Sequence, residues 1–336
     1  MRAIRLLRQG APEELKLEEL PDPVAKPGEA VVKLRAAGLN RRDVFIRQGL
    51  YPRIQLPCVL GSDGAGEVLS VGEGVDKGLV GQRVVLIPCH GWGSDERVQG
   101  RDFAILGMPM QGTMAEQIAV QADQLCPAPA HLSWEESAAL PLAGLTAYRS
   151  LTTRGGLQKG EHVLVTGIGG GVATLALVLA KALGAQVSVT SGSEEKLARA
   201  RNLGAIAAVN YKEKGWEKEL VKQAGRPPSL IIDGAGGDDL NALIAAAAPA
   251  GRIVCYGATR GAPKSIDMPR LFFKQIDLRG SSMGSDAEFR ALLALVEREQ
   301  LKPVVDRVFP LSEAVEANRL LEQSEQMGKV VLDCTR

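Results

Sequence analysis

The run Thr166-Gly-Ile-Gly-Gly-Gly-Val172 constrains this chain more than any other stretch. It follows an apolar run at 163–165 that reads as a strand. It precedes residues 172–183, where Val172, Leu175, Ala176 and Leu179 share one helical face. Between a strand and a helix, a glycine-rich turn lets backbone N–H groups reach a pyrophosphate at the positive helix N-terminus. The context supports this reading. Further strands are expected at 186–190, 207–210, 230–233, 253–256 and 277–281, with helices between them, including one at 194–203. Alternating strands and helices imply an α/β unit with a doubly wound parallel sheet of the Rossmann type. Residues 162–180 carry no formal charge and are long enough to suggest a membrane span, but the four glycines at their centre favour strand, turn and helix.

The first 126 residues read differently. Short alternating runs at 31–34, 66–69 and 83–86 are broken by Gly and Pro about every ten residues, the pattern of a small barrel or irregular antiparallel sheet. Cys126-Pro-Ala-Pro-Ala-His131 is a proline-rich joint. Beyond it, Ser133 and Glu136 have the spacing of a capping box that starts a helix. The tail reads as two helices, around 289–299 and 312–323, and a last strand at 329–332.

Composition narrows the function. With Lys+Arg 40 against Asp+Glu 39, the net charge of +1 offers no broad field for nucleic acid or an anionic membrane. The five cysteines form no CxxC pair, which speaks against a disulfide framework or a cysteine zinc cluster and fits a reducing, cytoplasmic setting. The charged N-terminal run Met-Arg-Ala-Ile-Arg lacks the pattern of a signal peptide.

An NAD enzyme usually carries an acidic residue at the end of the second strand, for the ribose hydroxyls. Here Thr190-Ser191-Gly192-Ser193 stands at that point. Hydroxyls at Ser191 and Ser193, with Lys196, suit a 2′-phosphate and hence NADPH; the plain alternative is that Ser193 caps a helix and Lys196 is a surface charge. Gly234, Gly257 with Ala258, and Ser282 follow the fourth, fifth and sixth strands. Open α/β sheets bind ligands at such strand ends. Arg41, Arg42 and Arg47 read as a small basic patch, a solvated face in the plain reading and, in the alternative, one that steers an anionic substrate or the NADPH phosphate. The polar stretch 92–103 reads as a mobile loop.

Gly38-Leu-Asn-Arg-Arg-Asp43, Ile46-Arg-Gln-Gly-Leu-Tyr-Pro52, Gly61-Ser-Asp-Gly-Ala-Gly-Glu-Val68, Pro141-Leu-Ala-Gly-Leu-Thr-Ala-Tyr148 and the glycine loop together resemble the medium-chain dehydrogenase/reductase superfamily, in particular its zinc-free quinone oxidoreductase (zeta-crystallin-like) branch. The resemblance runs the length of the chain. It implies a GroES-like catalytic domain from residues 1–127 completed by 285–336, a Rossmann domain from 128–284, and a homodimer through the sheet edge of the latter. It also implies that Asn40 and Tyr51 line the substrate pocket with Phe45 as an apolar wall. For the cofactor it points to Thr146, Gly167, Gly169, Gly170, Gly171, Val172, Tyr211 and Lys329. At the positions of the family's catalytic zinc ligands stand Asn40, Ser62 and Leu142, a poor donor set for zinc, so no metal ligands are assigned. Without a Lewis acid, alcohol oxidation is hard, whereas reducing a quinone or an α,β-unsaturated carbonyl is easier. The expectation is a zinc-independent, NADPH-dependent reductase of such acceptors. The rivals are an alcohol dehydrogenase of the same superfamily, and an NADPH-binding protein with a crystallin-like or RNA-binding role.

Overall fold

The computed structural model describes residues 1–336. They divide into two compact units. The first comprises Met1–Leu145 and Gly284–Arg336, and the second comprises Thr146–Met283.

The chain enters the first unit through β1 (Arg2–Leu6), β2 (Leu15–Glu19) and the long β3 (Glu29–Gly38), then a short helix α1 (Arg41–Arg47). It continues through β4 (Cys58–Val59), β5 (Asp63–Val71), β6 (Arg83–Leu86), β7 (Cys89–His90), β8 (Ala104–Ile105), β9 (Gln117–Gln121) and β10 (Leu125–Pro127). Helix α2 (Trp134–Ala138) follows, started by the expected capping box: the Glu136 N–H donates to Ser133 Oγ at 3.1 Å, and the Ser133 N–H donates to Glu136 Oε2 at 2.8 Å. Helix α3 (Pro141–Leu151) then spans the joint between the units.

The second unit alternates strand and helix: β11 (His162–Val165), α4 (Gly171–Ala182), β12 (Gln186–Ser191), α5 (Glu194–Asn202), β13 (Ala207–Asn210), α6 (Trp216–Ala224), β14 (Leu230–Asp233), α7 (Leu240–Ala246), β15 (Arg252–Cys255), α8 (Met268–Phe273) and β16 (Asp277–Gly280). The chain returns to the first unit with α9 (Asp286–Arg298), β17 (Val305–Pro310), α10 (Ala314–Gln323) and β18 (Lys329–Asp333).

In the second unit all six strands are parallel, in the order β13-β12-β11-β14-β15-β16. This is the doubly wound arrangement, whose strand order reverses beside β11. The inner strands are buried along their whole length, so they read as unbroken apolar runs such as Leu230-Ile-Ile. Leu164, Ile231 and Ile253 pack with Leu220, Leu243 and Ile244 from the helices on one face.

In the first unit the main sheet runs β10-β6-β5-β3-β18-β17, and β9 also pairs with β3. The sequence pattern misses β17, whose residues are all half-buried or exposed and show no clear alternation. The close crossing of β3 and β5 depends on Gly66, where a Cβ would lie 2.1 Å from the Lys33 carbonyl oxygen. The first joint also differs from the expected 127/128 and falls at 145/146. The reason is apolar packing. Ala138 and Ala139 at the end of α2 are sealed against Ala36, Ala65 and Val331, so this helix belongs to the barrel core. The stretch 92–103 lacks regular structure but is anchored, with Trp92 buried against the edge of Phe103 at 5.4 Å.

Candidate functional site

The cradle in the second unit is built at the C-terminal ends of its strands. Gly167 and Gly169 have φ of +61° and +141°, backbone states that other residues rarely adopt. The turn is held from both sides. The Gly167 N–H donates to Thr190 Oγ1 at 3.2 Å, and the Ile168 N–H donates to the Thr190 carbonyl at 2.7 Å. At Gly167 and Gly170 a Cβ would meet nothing within 4 Å, so the turn faces open space at the start of α4, where Gly171 and Val172 form the first turn. Exposed N–H groups over a helix N-terminus fit a pyrophosphate. The dinucleotide cradle therefore matches the residues present.

Ser191 and Ser193 stand at the end of β12. Ser191 Oγ accepts from the Ser193 N–H at 3.2 Å, and Ser193 Oγ accepts from the Lys196 N–H at 3.4 Å, capping α5. Tyr211 follows β13, and its N–H bonds the Ser191 carbonyl at 3.1 Å. Its hydroxyl and Lys212 crowd Gly192, where a Cβ would lie within 3 Å of both. Gly234 follows β14, Gly257 and Ala258 follow β15, and Ser282 follows β16. The loops after β14 and β15 are laced together by Arg260 N–H to Ala235 O at 2.8 Å and Gly237 N–H to Gly261 O at 2.8 Å.

One residue of this cradle escapes sequence reasoning. Asp233 is buried at the end of β14 and accepts from the Thr166 hydroxyl at 2.5 Å, the Ala235 N–H at 3.2 Å and the Gly236 N–H at 3.0 Å. It ties the start of the glycine turn to the loop after β14. A charged residue ending the apolar run Leu230-Ile-Ile is the signal that could have found it. Thr146 is buried in the middle of α3.

The first unit holds a different cluster. Asn40 precedes α1, and its side-chain Nδ2 donates to Asp63 Oδ2 at 2.9 Å. Lys329 Nζ donates to Asp63 Oδ2, Asn40 Oδ1 and the Leu39 carbonyl, each at 2.7 Å. Asp63 Oδ1 accepts from the Leu142 N–H at 2.7 Å. Asp63 is fully sealed and Lys329 nearly so. Lys329 was expected to meet the cofactor, but all three of its ammonium protons are committed within this cluster, which leaves none for a phosphate.

Neighbouring groups are structural. Asp43 accepts from the Asn40 N–H at 2.7 Å and the Gly61 N–H at 3.3 Å, and burial holds its carboxyl above the usual carboxylate range. The expected solvated face of arginines is also overturned. Arg42 and Arg47 are buried because their guanidinium groups satisfy internal acceptors. Arg42 donates to Ser62 Oγ at 3.2 Å and to the carbonyls of Leu106 and Met108. Arg47 bonds Asn318 at 2.8 Å and Glu322 at 2.6 Å. Tyr51 packs against the core of this unit under the Arg42 guanidinium, 4.9 Å from the ring centroid, and Phe45 is half-buried on α1.

The residues at Asn40, Ser62 and Leu142 do not fit a zinc ion. The Asn40 carbonyl oxygen, its only metal-ligating atom, already accepts from Lys329, Ser62 Oγ donates to the Leu106 carbonyl at 2.8 Å, and an ammonium lies at the centre of the cluster. Zinc prefers thiolate, imidazole and carboxylate donors, and nowhere do three or more His, Cys, Asp or Glu side chains gather to hold a metal.

This combination of a barrel completed by both chain ends and a six-stranded dinucleotide fold has recorded relatives. Residues 26–130 match the alcohol dehydrogenase GroES-like domain, and residues 171–298 match the zinc-binding dehydrogenase family. A "zinc-type alcohol dehydrogenase-like protein" of Leptosphaeria maculans is 39% identical over 95% of this chain and 94% of its own. A quinone oxidoreductase of Pseudomonas aeruginosa is 30% identical over 98% of each. A crystal structure of an NAD-dependent alcohol dehydrogenase superposes with a TM-score of 0.94 at 40% identity, covering 99% of both chains. The chain belongs to the medium-chain dehydrogenase/reductase superfamily, as its sequence motifs indicate. It is an oxidoreductase of that superfamily, whose members use nicotinamide cofactors. No helix is long and apolar enough to cross a membrane.

Proposed function

We propose that this protein is a zinc-independent reductase of quinones or α,β-unsaturated carbonyls that uses NADPH. The observation that carries the reading is the Asn40–Asp63–Lys329 cluster, which fills the place of a zinc site with mutually satisfied hydrogen bonds. Without a Lewis acid there is little to lower the pKa of an alcohol oxygen, whereas an activated acceptor needs only position and a hydrogen bond to its developing oxyanion. When bound, NADPH supplies the hydride.

The chain's own residues have separable roles in this reading. The N–H groups of residues 167–172 hold the pyrophosphate. Ser191, Ser193 and Lys196 accommodate the 2′-phosphate, with Tyr211 beside them, and Gly234, Gly257, Ala258 and Ser282 border the dinucleotide. Thr146 packs near the nicotinamide. Asn40 donates to the acceptor's carbonyl oxygen, and Tyr51 and Phe45 shape its surroundings. The five free thiols suit a reducing compartment.

The molecule works as a homodimer through the outer edge of β16. Supporting this, β16 is an edge strand with Leu278 exposed, and Met268, Phe272 and Phe273 of α8 are exposed in the same unit, Phe273 at 79%. Apolar groups of that size at a sheet edge favour a partner.

The deciding experiment monitors NADPH consumption across quinones, enones, aldehydes and alcohols, with a metal assay on the same preparation. Turnover of quinones or enones by metal-free protein supports the reading. Alcohol oxidation dependent on one zinc per chain overturns it. Tight NADPH binding with no turnover of any acceptor would favour a binding role.

A further inference from the structure

We infer that Lys329 is a positioning residue: its ammonium locks the orientation of the Asn40 side-chain amide and so keeps one Asn40 N–H free for the acceptor's oxygen. The inference rests on the proposed role of Asn40 and deepens it.

The argument is one of donor and acceptor chemistry. An ammonium can only donate, so the Asn40 atom facing Lys329 Nζ at 2.7 Å must be the carbonyl oxygen. A carboxylate can only accept, so the atom facing Asp63 Oδ2 at 2.9 Å must be the amide nitrogen. Flipping the amide would set its N–H groups against the ammonium and its oxygen against the carboxylate. The two ions, themselves 2.7 Å apart, thus hold the amide from both ends. The amide nitrogen carries two hydrogens; Asp63 takes one, and no protein group takes the other. Asn40 as a whole is 6% exposed.

The fold delivers Lys329 to this point by backbone register. Val331 of β18 pairs with Gly38 of β3, and the Leu39 N–H bonds the Val330 carbonyl at 2.9 Å. Before the strand, Gly328 has φ of +114°, and a Cβ there would lie 2.2 Å from the Val304 carbonyl oxygen, so the chain turns tightly into β18 just before the lysine.

The test uses the full-length protein, the single variant Lys329→Met and the charge-neutral pair Asp63→Asn/Lys329→Met. The pair leaves no unbalanced buried ion and guards against simple failure to fold. The first readout needs no turnover. The chain has only five asparagines, so asparagine-selective 15N labelling resolves their side-chain amides, and the Asn40 pair is assigned by its loss in Asn40→Asp. In the parent protein the Asn40 amide hydrogens should exchange slowly and stay well separated; in the neutral pair they should exchange faster and converge. The second readout is kinetic. The neutral pair should lower kcat for a quinone by roughly a hundred- to a thousandfold, the order of losing an oxyanion donor. Its Kd for NADPH, from cofactor fluorescence, should stay within about twofold, and adding Asn40→Ala should cost nothing more, as expected for residues acting as one unit.

Unchanged Asn40 amide signals in the neutral pair overturn the inference. So does a tenfold weaker NADPH affinity with unchanged kcat, which would make Lys329 a cofactor ligand. If the parent protein reduces no quinone or enone, the functional reading falls, while the amide signals still decide whether Lys329 locks Asn40.

Discussion

The Thr166 hydroxyl donates to Asp233 Oδ1 at 2.5 Å, joining the ends of β11 and β14 directly beneath the glycine turn. Asp233 also receives two backbone N–H groups from the following loop, so one buried carboxylate sets the geometry of two strand ends. In Asp233→Ala, three donors lose their acceptor. The expected loss is about 2–4 kcal/mol of stability, read as a lower urea midpoint at unchanged slope. Affinity for NADPH should fall with it, and Asp233→Asn should keep part of both.

Gly170 permits a cleaner separation of folding from binding. Its φ of −76° suits any residue, and a Cβ there meets no protein atom within 4 Å. Gly170→Ala should therefore change stability by no more than about 0.5 kcal/mol. If the open space is the cofactor's, the Kd for NADPH should rise at least roughly tenfold, or about 1.4 kcal/mol. Wild-type affinity in this variant would remove the turn from the cofactor site.

Ser191 tests the choice of cofactor. A carboxylate at the end of β12 favours ribose hydroxyls and repels a 2′-phosphate. Ser191→Asp should raise KM for NADPH by about tenfold or more while improving NADH. A parent protein that already prefers NADH would contradict the reading at its start.

His162 predicts a pH dependence. It is buried at the start of β11 with Nε2 2.7 Å from Ser188 Oγ, and burial holds its pKa below the ordinary histidine value. The unfolded chain therefore gains a proton near pH 6.5 that the folded protein does not. The stability contributed by the neutral ring is present above that pH and is lost as pH falls through it, by up to about 1.4 kcal/mol per unit, until the folded-state pKa is reached. Urea midpoints at pH 7.5 and 5.5 should show the loss, and His162→Gln should reduce it.

Arg47 links α1 to α10 through Asn318 and Glu322. Arg47→Met should cost about 2 kcal/mol, because Asn318 Oδ1 would be left buried without a donor while Glu322, one-third exposed, can be rehydrated. Thermal unfolding of the two proteins side by side reads this out.

The sequence pattern revealed the nucleotide unit well, because its inner strands are buried on both faces and its signals are local. The glycine turn, the strands around it and the Ser133 capping box each lie within a few residues of their partners. The first unit was read chiefly through resemblance, and its key interactions are remote. Lys329 meets Asn40 across 289 positions, and Arg47 meets Asn318 across 271. No local pattern distinguishes a solvated arginine from one whose acceptors lie that far along the chain. The extent of α2's commitment to the barrel was hidden for the same reason, since Val331, its packing partner, lies near the C-terminus. β17 was missed for lack of alternation, and Asp233 because one acidic residue after an apolar run also reads as the end of a strand.

The separation of Asp63 from Lys329 carries a consequence for biosynthesis. The carboxylate leaves the ribosome 266 residues before the ammonium that neutralises it. At about 5–20 residues per second, that delay is on the order of tens of seconds. During that time the nucleotide unit can emerge and fold whole, while the barrel lacks β18 and its central ion is unmatched. Ribosome-bound chains halted before Lys329 should therefore carry a finished nucleotide unit beside an incomplete, protease-sensitive first unit, in which β3 and β17 still lack the strand that joins them.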